Sequence, residues 1–290
     1  DAAFQGIEPA RQRAMMDEGL GLVLQLLTSD EPVNHETDWF RLKDAQLQLK
    51  PLQRPTMPVA VASTISPAGM TTAGKHGAGV LSVASYSAEG LAALPNQWSF
   101  CEQAAREAGQ AAPDRKNWRV VLPMHIAETQ EQAYADVEFG LLNWNNEYFH
   151  STLGHPAFKH SDNTRELAEQ MTTFGAPVIG TPDDLLARIA QLQEVSGGFG
   201  CVLSMAHEWA APDATLKSYE LIARYVMPRF QGSLDTIVGS NTWSRENRKA
   251  VFGPTVAAVA RQHTAVSSGA SSTSTRVSAI GWHKGMSSAV

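Results

Sequence analysis

The chain has 290 residues, enough for one large α/β domain or two smaller ones, and 43% of them are hydrophobic, enough for a packed core. Its formal net charge is −6, from 23 basic and 29 acidic residues, with no basic stripe, so nucleic acid is not an expected partner. The apolar runs are too short to span a bilayer, and the acidic, amphipathic start is unlike a secretory signal. Cys101 and Cys201 stand far apart and are expected as buried free thiols, which fits a reducing cytoplasm. The chain opens at Asp1 without a methionine and leads straight into a helix, as expected of a processed, trimmed or partial chain.

Residues 8–27 read as the first helix. Pro9 stands at its start behind Glu8, and Met16, Leu20, Val23, Leu24 and Leu27 recur at helical spacing. Residues 28–58 are turn-rich. Trp39, Phe40, Leu42, Leu47 and Leu49 suggest a hairpin excursion, and Pro51, Pro55 and Pro58 forbid a helix.

The stretch PVAVASTISPAGMTTAGKHGAGVLSV, residues 58–83, carries the most information. Val59 to Ala62 reads as a strand buried on both faces. The polar loop Ser63, Thr64, Ser66 follows, and Pro67 sits where a first helical residue would. A short helix over 68–76 closes at Gly77, and 80–83 is again strand-like. In such a βαβ unit the helix N-terminus, with its free backbone N–H groups, faces the carboxyl ends of the strands. That suits a phosphate pocket for a nucleotide-like cofactor. It suits equally a βα turn capped by a serine, and spacing alone favours this plainer reading.

Residues 91–109 read as a helix carrying Trp98, Phe100 and Ala104. WRVVLPMHI, 118–126, reads as a strand bent near Pro123, and 129–142 as an amphipathic helix. Residues 143–175 lack clear periodicity and read as an insertion with helical patches. In GTPDDLLARIAQLQEVSGGFGCVLSM, Thr181 caps a helix started by Pro182 and stopped at Gly197, and a strand follows over 200–205. Residues 218–227 form a helix ended by Pro228. The expected organisation is a folded part, 1–235, and a poorly structured tail, 236–290, whose segment 267–275 is almost wholly Ser, Thr, Ala and Gly. Four core strands, about 58–63, 79–83, 118–126 and 200–205, alternate with helices. That is an α/β chain with a parallel sheet and half the strands of an eight-stranded barrel.

Five motifs give this chain a family resemblance: GIEPARQRAMMDEGL, PVAVASTISPAGMTTAGKHGAG, AETQEQAYADVEFG, GTPDDLLARI and SYELIARYVMPRF. Over roughly residues 1–230 it resembles the C-terminal part of a bacterial-luciferase-like flavin monooxygenase, nearest the limonene and alkane monooxygenase-like subgroup. The resemblance implies a TIM-like barrel, here its C-terminal half. It also implies reduced FMN at the carboxyl ends of the strands, a separate flavin reductase as partner, O₂, and a small apolar organic substrate. It gives Ser66, Ala68 and Gly69 the phosphate role and sets Ser63 beside the flavin. The family's first four strands, which supply the catalytic histidine region and a basic residue near the phosphate, match nothing in this sequence. Dimers are usual in similar proteins, so a homodimer is a candidate assembly, with the oligomeric state left open. Two other readings stay open: a non-catalytic half-barrel that must pair to close its sheet, and a deazaflavin-dependent oxidoreductase of the same superfamily.

His207, just past the last strand, is the candidate catalytic residue, as donor or wall near the flavin; packing at the barrel rim with Trp209 is the alternative. His125 ends its strand similarly and reads better as a satisfied core histidine. His150, His155 and His160, with Asp162, recur every five residues, which would spread them around a helix, so no metal site is expected. The resemblance sets this insertion near the barrel mouth, which makes His150 or Tyr148 a candidate for touching substrate. No dinucleotide fingerprint, P-loop or G-x-S-x-G is present.

Overall fold

The computed structural model describes residues 2–83, 87–155, 158–175 and 177–267. Two compact units divide the chain, Asp1–Phe230 and Gln231–Val290.

In the first unit, 3₁₀ turns at Ala3–Gln5 and Pro9–Arg11 lead into α1 (Gln12–Thr28). The expected hairpin follows: β1 (Val33–Glu36) pairs antiparallel with β2 (Arg41–Ala45). The Thr37 hydroxyl closes its turn by accepting from the N–H groups of Trp39 and Phe40. β3 (Ala60–Ser63), α2 (Ala68–His76) and β4 (Gly79–Ser82) form the expected βαβ unit, with α2 closed at Gly77 in the left-handed conformation, φ 64°. α3 (Ala88–Glu107), capped by Ser87, leads to a 3₁₀ turn at Arg115–Asn117 and β5 (Trp118–Leu122).

Pro123 does more than bend this strand. Lacking an N–H, it ends the ladder of β5, and β6 (Met124–Ile126) then pairs with a strand the sequence did not announce, β7 (Val178–Gly180). β7 has three residues, too short to show a period. α4 (Gln130–Val137) and α5 (Leu141–Asn143) replace the single helix expected over 129–142. A π-helix at Trp144–Thr152 and α6 (Thr164–Phe174), capped by Asn163, give order to the supposed insertion. α7 (Pro182–Ser196) carries the Thr181–Asp184 capping box, and β8 (Cys201–Ser204) follows. The last helix begins earlier than expected, as α8 (Pro212–Leu221). It runs through a π turn at Ile222–Val226 into α9 (Met227–Phe230), so Pro228 sits in the first turn of a helical segment instead of ending one.

β3, β4, β5 and β8 form one parallel sheet in that order, and β6 with β7 forms a second; neither closes into a barrel. One face of the large sheet lies under helices. Val61, Val80, Trp118, Val120 and Leu122 join Met70, Trp98, Leu185 and Leu192 in the main core. Trp98 stacks on Trp118, ring centroids 5.2 Å apart, and the Trp118 indole N–H donates to the Ser82 hydroxyl. The other face is open. Ala60 and Ala62 of β3 are exposed, so this strand is buried on one face where its apolar run suggested two. A second core, Val137, Leu141, Leu167, Ile179 and Trp209, lies under α4 and α6.

The second unit corrects the expected tail. Residues 236–267 are helical, in α10 (Asp235–Glu246) and α11 (Arg248–Ser267), and the described side chains of both are largely exposed. The rest of the Ser-rich segment lies outside the described residues. Cys101 is buried and Cys201 half-buried, both as free thiols. Among the described residues no helix is long and apolar enough to cross a membrane.

Candidate functional site

The site forms where β3 hands over to α2. β3 ends at Ser63, and α2 begins only five residues later, so its first turn lies against the strand's carboxyl end. Gly69 permits this. A Cβ there would sit 2.5 Å from the Ala62 carbonyl oxygen and 2.7 Å from Ser63 Cα. The small residue thus serves helix-on-strand packing first.

The capped-turn reading requires a side chain on the N-terminus of α2. No side chain caps it: Pro67 holds the N-cap position, and neither serine turns back onto the helix. The Ser63 hydroxyl is buried and faces Gln97 Oε1 at 3.3 Å, while Gln97 donates to the Ile65 carbonyl at 2.8 Å. The Ser66 hydroxyl instead meets the guanidinium of Arg13, on α1, at 3.5 Å. Among the described residues Arg13 pairs with no carboxylate, whereas Lys75 and His76 both bind Asp17. A groove of about 390 Å³ runs along this seam between Arg13, Asp17, Ala68, Thr71 and Lys75. Burial pushes the Asp17 carboxyl up, but the hydrogen bonds and charges of Lys75 and His76 outweigh it and hold the group below the usual carboxylate range.

Of the expected site residues, the structure therefore brings Ser66 and Ala68 together beside the open helix end, and turns Ser63 and the Cα of Gly69 inward. Arg13 was missed. The sequence reading named no basic residue of this chain beside Ser66, and the structure places Arg13 of α1, 53 residues away in sequence, at its hydroxyl. The helical phase of α1 gave it no distinguishing mark.

His207 follows β8. Its Nε2 lies 3.2 Å from the Met124 carbonyl oxygen, and its ring stacks on Trp209 at 3.8 Å. Gly140 lets the 207–209 loop approach closely, since a Cβ there would fall 1.9 Å from the Glu208 carbonyl oxygen. Burial, with a further push from neighbouring His125, lowers the His207 pKa to about 4, so its imidazole is neutral at ordinary pH. His125 is 1% exposed with Nε2 3.0 Å from Asp136, the satisfied core histidine expected. His150 Nδ1 lies 3.0 Å from the Phe158 carbonyl, and His160 pairs with Asp162. Among the described residues no three His, Cys, Asp or Glu side chains converge as metal ligands.

The family model described as luciferase-like monooxygenase matches residues 1–197. The chain belongs to the luciferase-like monooxygenase family. It is 39% identical over 252 residues to the 4-hydroxyprotoasukamycin monooxygenase of Streptomyces nodosus subsp. asukaensis, covering 86% of this chain and 67% of that protein. It is 40% identical over 251 residues to the limonene 1,2-monooxygenase of Rhodococcus erythropolis, covering 86% and 63%. The chain thus spans about two thirds of the length of these curated relatives. Among solved structures it resembles monooxygenase RslO1 of Streptomyces bottropensis, with a TM-score of 0.63 at 21% identity, covering 79% of this chain and 65% of that one. The oxygenating constituent of 3,6-diketocamphane monooxygenase from Pseudomonas putida, in complex with FMN, follows at 0.57 and 24%, covering 78% and 67%. An F420-dependent secondary alcohol dehydrogenase has a TM-score of 0.54 at 19% identity, covering 78% and 65%. These likenesses establish the luciferase-like, TIM-barrel-related fold.

Proposed function

We propose that this chain carries the phosphate-binding side of an FMN-dependent monooxygenase that oxygenates a small apolar organic substrate with reduced flavin and O₂. A separate flavin reductase would supply the reduced cofactor. The observation that carries the reading is the uncapped N-terminus of α2 with Ser66 and the carboxylate-free Arg13 beside it. An open helix end offers N–H donors and a positive dipole, and a guanidinium adds a fork that fits phosphate oxygens.

In this reading Arg13, the Ser66 hydroxyl and the first-turn N–H groups of Ala68 and Gly69 hold the phosphate. Ser63 fixes the strand end through Gln97. His207, neutral and stacked on Trp209, lines the flavin side as a wall that contributes no charge. Reduced FMN, when bound, supplies the oxygen chemistry. The protein's share is to bind, orient and exclude water.

The test is a fluorescence titration of FMN against riboflavin, which lacks the phosphate. FMN is expected to bind more tightly. Arg13→Ala should weaken FMN by about 10–100-fold, the value of a charge-assisted pair, and leave riboflavin unchanged. Equal affinities for the two flavins would remove the reading. A deazaflavin cofactor is the second reading, supported by the likeness to an F420-dependent enzyme; tighter deazaflavin binding would select it. The open sheet supports a third, a non-catalytic pairing module. A monomer by light scattering would count against that version and against a homodimer.

A further inference from the structure

A second cavity shares no lining residue with the phosphate groove and sets an aromatic and aliphatic wall against a polar, partly charged rim. It is a cleft of about 530 Å³ between the N-terminal end of α3, the π-helix and α6. That volume falls within the range of small-molecule sites, about 300–1,000 Å³. Its apolar wall comprises Trp144, Phe158, Leu167, Met171 and Phe174.

The cleft stands on the side of the sheet where the strands end. α3 begins six residues after β4, and its residue Gln97 touches Ser63 and Ile65 at the end of β3. Ala88 and Glu89 at the helix start border the cleft, about 13 Å further along the axis at 1.5 Å per residue. One helix therefore joins the two places.

The aromatic side is prearranged. Trp144 meets Phe158 at 5.6 Å, Phe149 at 4.4 Å and Trp209 at 5.2 Å, so its ring is fixed before any ligand arrives. Trp144 also opens the π-helix, a form that recurs at functional sites because it re-aims side chains. Phe174 remains 69% exposed at the edge, an apolar ring without a core to fill. The rim carries more acidic than basic groups, Glu89, Asp162 and Glu166 against Lys159 and His160, which disfavours an anionic ligand.

We infer that this cleft binds the substrate, and that the substrate is a neutral, rigid apolar ring compound packed against Trp144 and Phe158. The inference rests on the monooxygenase reading for the word substrate, but the binding does not. A rigid ring suits fixed aromatic walls better than a flexible chain, because less conformational freedom is lost on binding. The site residues first considered in this region fit less well: Tyr148 and His150 do not line the cleft.

The probe is 2-naphthol, a neutral bicyclic ring, titrated by its own fluorescence into the full chain, with naphthalene-2-sulfonate as the anionic match. The naphthol should saturate, and the sulfonate should bind at least about tenfold more weakly. Trp144→Ala should lower naphthol affinity about tenfold or more. Because Trp144 also packs on Trp209, Phe174→Ser provides a variant at an exposed position, expected to lose about threefold with unchanged circular dichroism. Absent binding, equal binding of the sulfonate, or unchanged affinity in Phe174→Ser would overturn the inference. An FMN titration on the same samples separates the two claims. FMN bound without naphthol sinks this site and leaves the cofactor reading. Naphthol bound without FMN, with the Phe174→Ser loss, upholds the site and sinks the cofactor reading.

Discussion

Replacing Gly69 by alanine tests whether the start of α2 is held by contact with β3. The new Cβ would lie 2.5 Å from the Ala62 oxygen, 2.7 Å from Ser63 Cα and 2.8 Å from Ser63 Cβ. Two of these neighbours are backbone atoms and the third is bonded to one, so none can rotate away. Overpacking of this kind costs about 1–3 kcal/mol, and alanine returns up to about 1 kcal/mol of helix propensity. A net loss of about 1–2 kcal/mol should lower the melting temperature by roughly 3–6 °C. The control is Gly19→Ala on α1, where the Cβ would meet only the Trp39 ring, at 3.8 Å, an ordinary contact. It should melt at or slightly above wild type. Because the strained helix start also carries the proposed phosphate donors, Gly69→Ala should weaken FMN more than riboflavin. Differential scanning calorimetry and the flavin titration provide the readouts. If Gly69→Ala melts with Gly19→Ala, the close contact is not limiting and the argument for this junction fails.

Other expectations are more local. Arg115 donates to the carbonyls of Ser196 and Gly198 at 2.8 and 2.9 Å, closing the end of α7, and its guanidinium lies over Trp98 and Trp118. Arg115→Ala should cost about 2–3 kcal/mol in urea denaturation and Arg115→Lys should restore less than half, since an ammonium cannot reproduce the planar fork. The carboxyl of Asp17 is lowered in the folded state, so its pairing stabilises above its ordinary value of 3.8 and is lost as pH falls through the lower, folded value. Asp17→Asn should therefore flatten the acid limb of stability below about pH 4; an unaltered limb would show that Lys75 and His76 do not stabilise this carboxylate. His207 works in the same direction at higher pH. Its pKa is lowered from 6.5 to about 4, so the unfolded chain takes up a proton that the native state refuses. Stability should fall between those values, by at most about 3 kcal/mol, and His207→Gln should remove that loss. A histidine proton resonance for residue 207 titrating near 6.5 would refute the burial argument.

Much of this protein was legible in sequence because its signals are local. Thr181 as cap, Pro182 as first residue, and Gly77 and Gly197 as stops each act within a few residues, and each marked the helix end observed. The α/β class follows from the order of the elements, and the family from motifs spread over most of the chain. What local pattern does not encode is which element meets which. A three-residue β7 has no period to read, and its pairing with β6 depends on Pro123 ending β5. Helices α10 and α11 lie where side-chain patterning suggested an irregular tail, because backbone hydrogen bonding can form a helix without an apolar face to guide prediction. At the candidate site the sequence supplied Ser63 and Ser66 in one polar loop, the family resemblance added Ala68 and Gly69 at the helix start, and only the tertiary structure separated them. Packing of α3 binds Ser63 to Gln97, packing of α2 on β3 claims the Cα of Gly69, and packing of α1 on α2 brings Arg13 to Ser66. Sequence fixes residue chemistry and local backbone form; the meeting of a cation with an open helix end from a distant segment is a property of the packed layers alone.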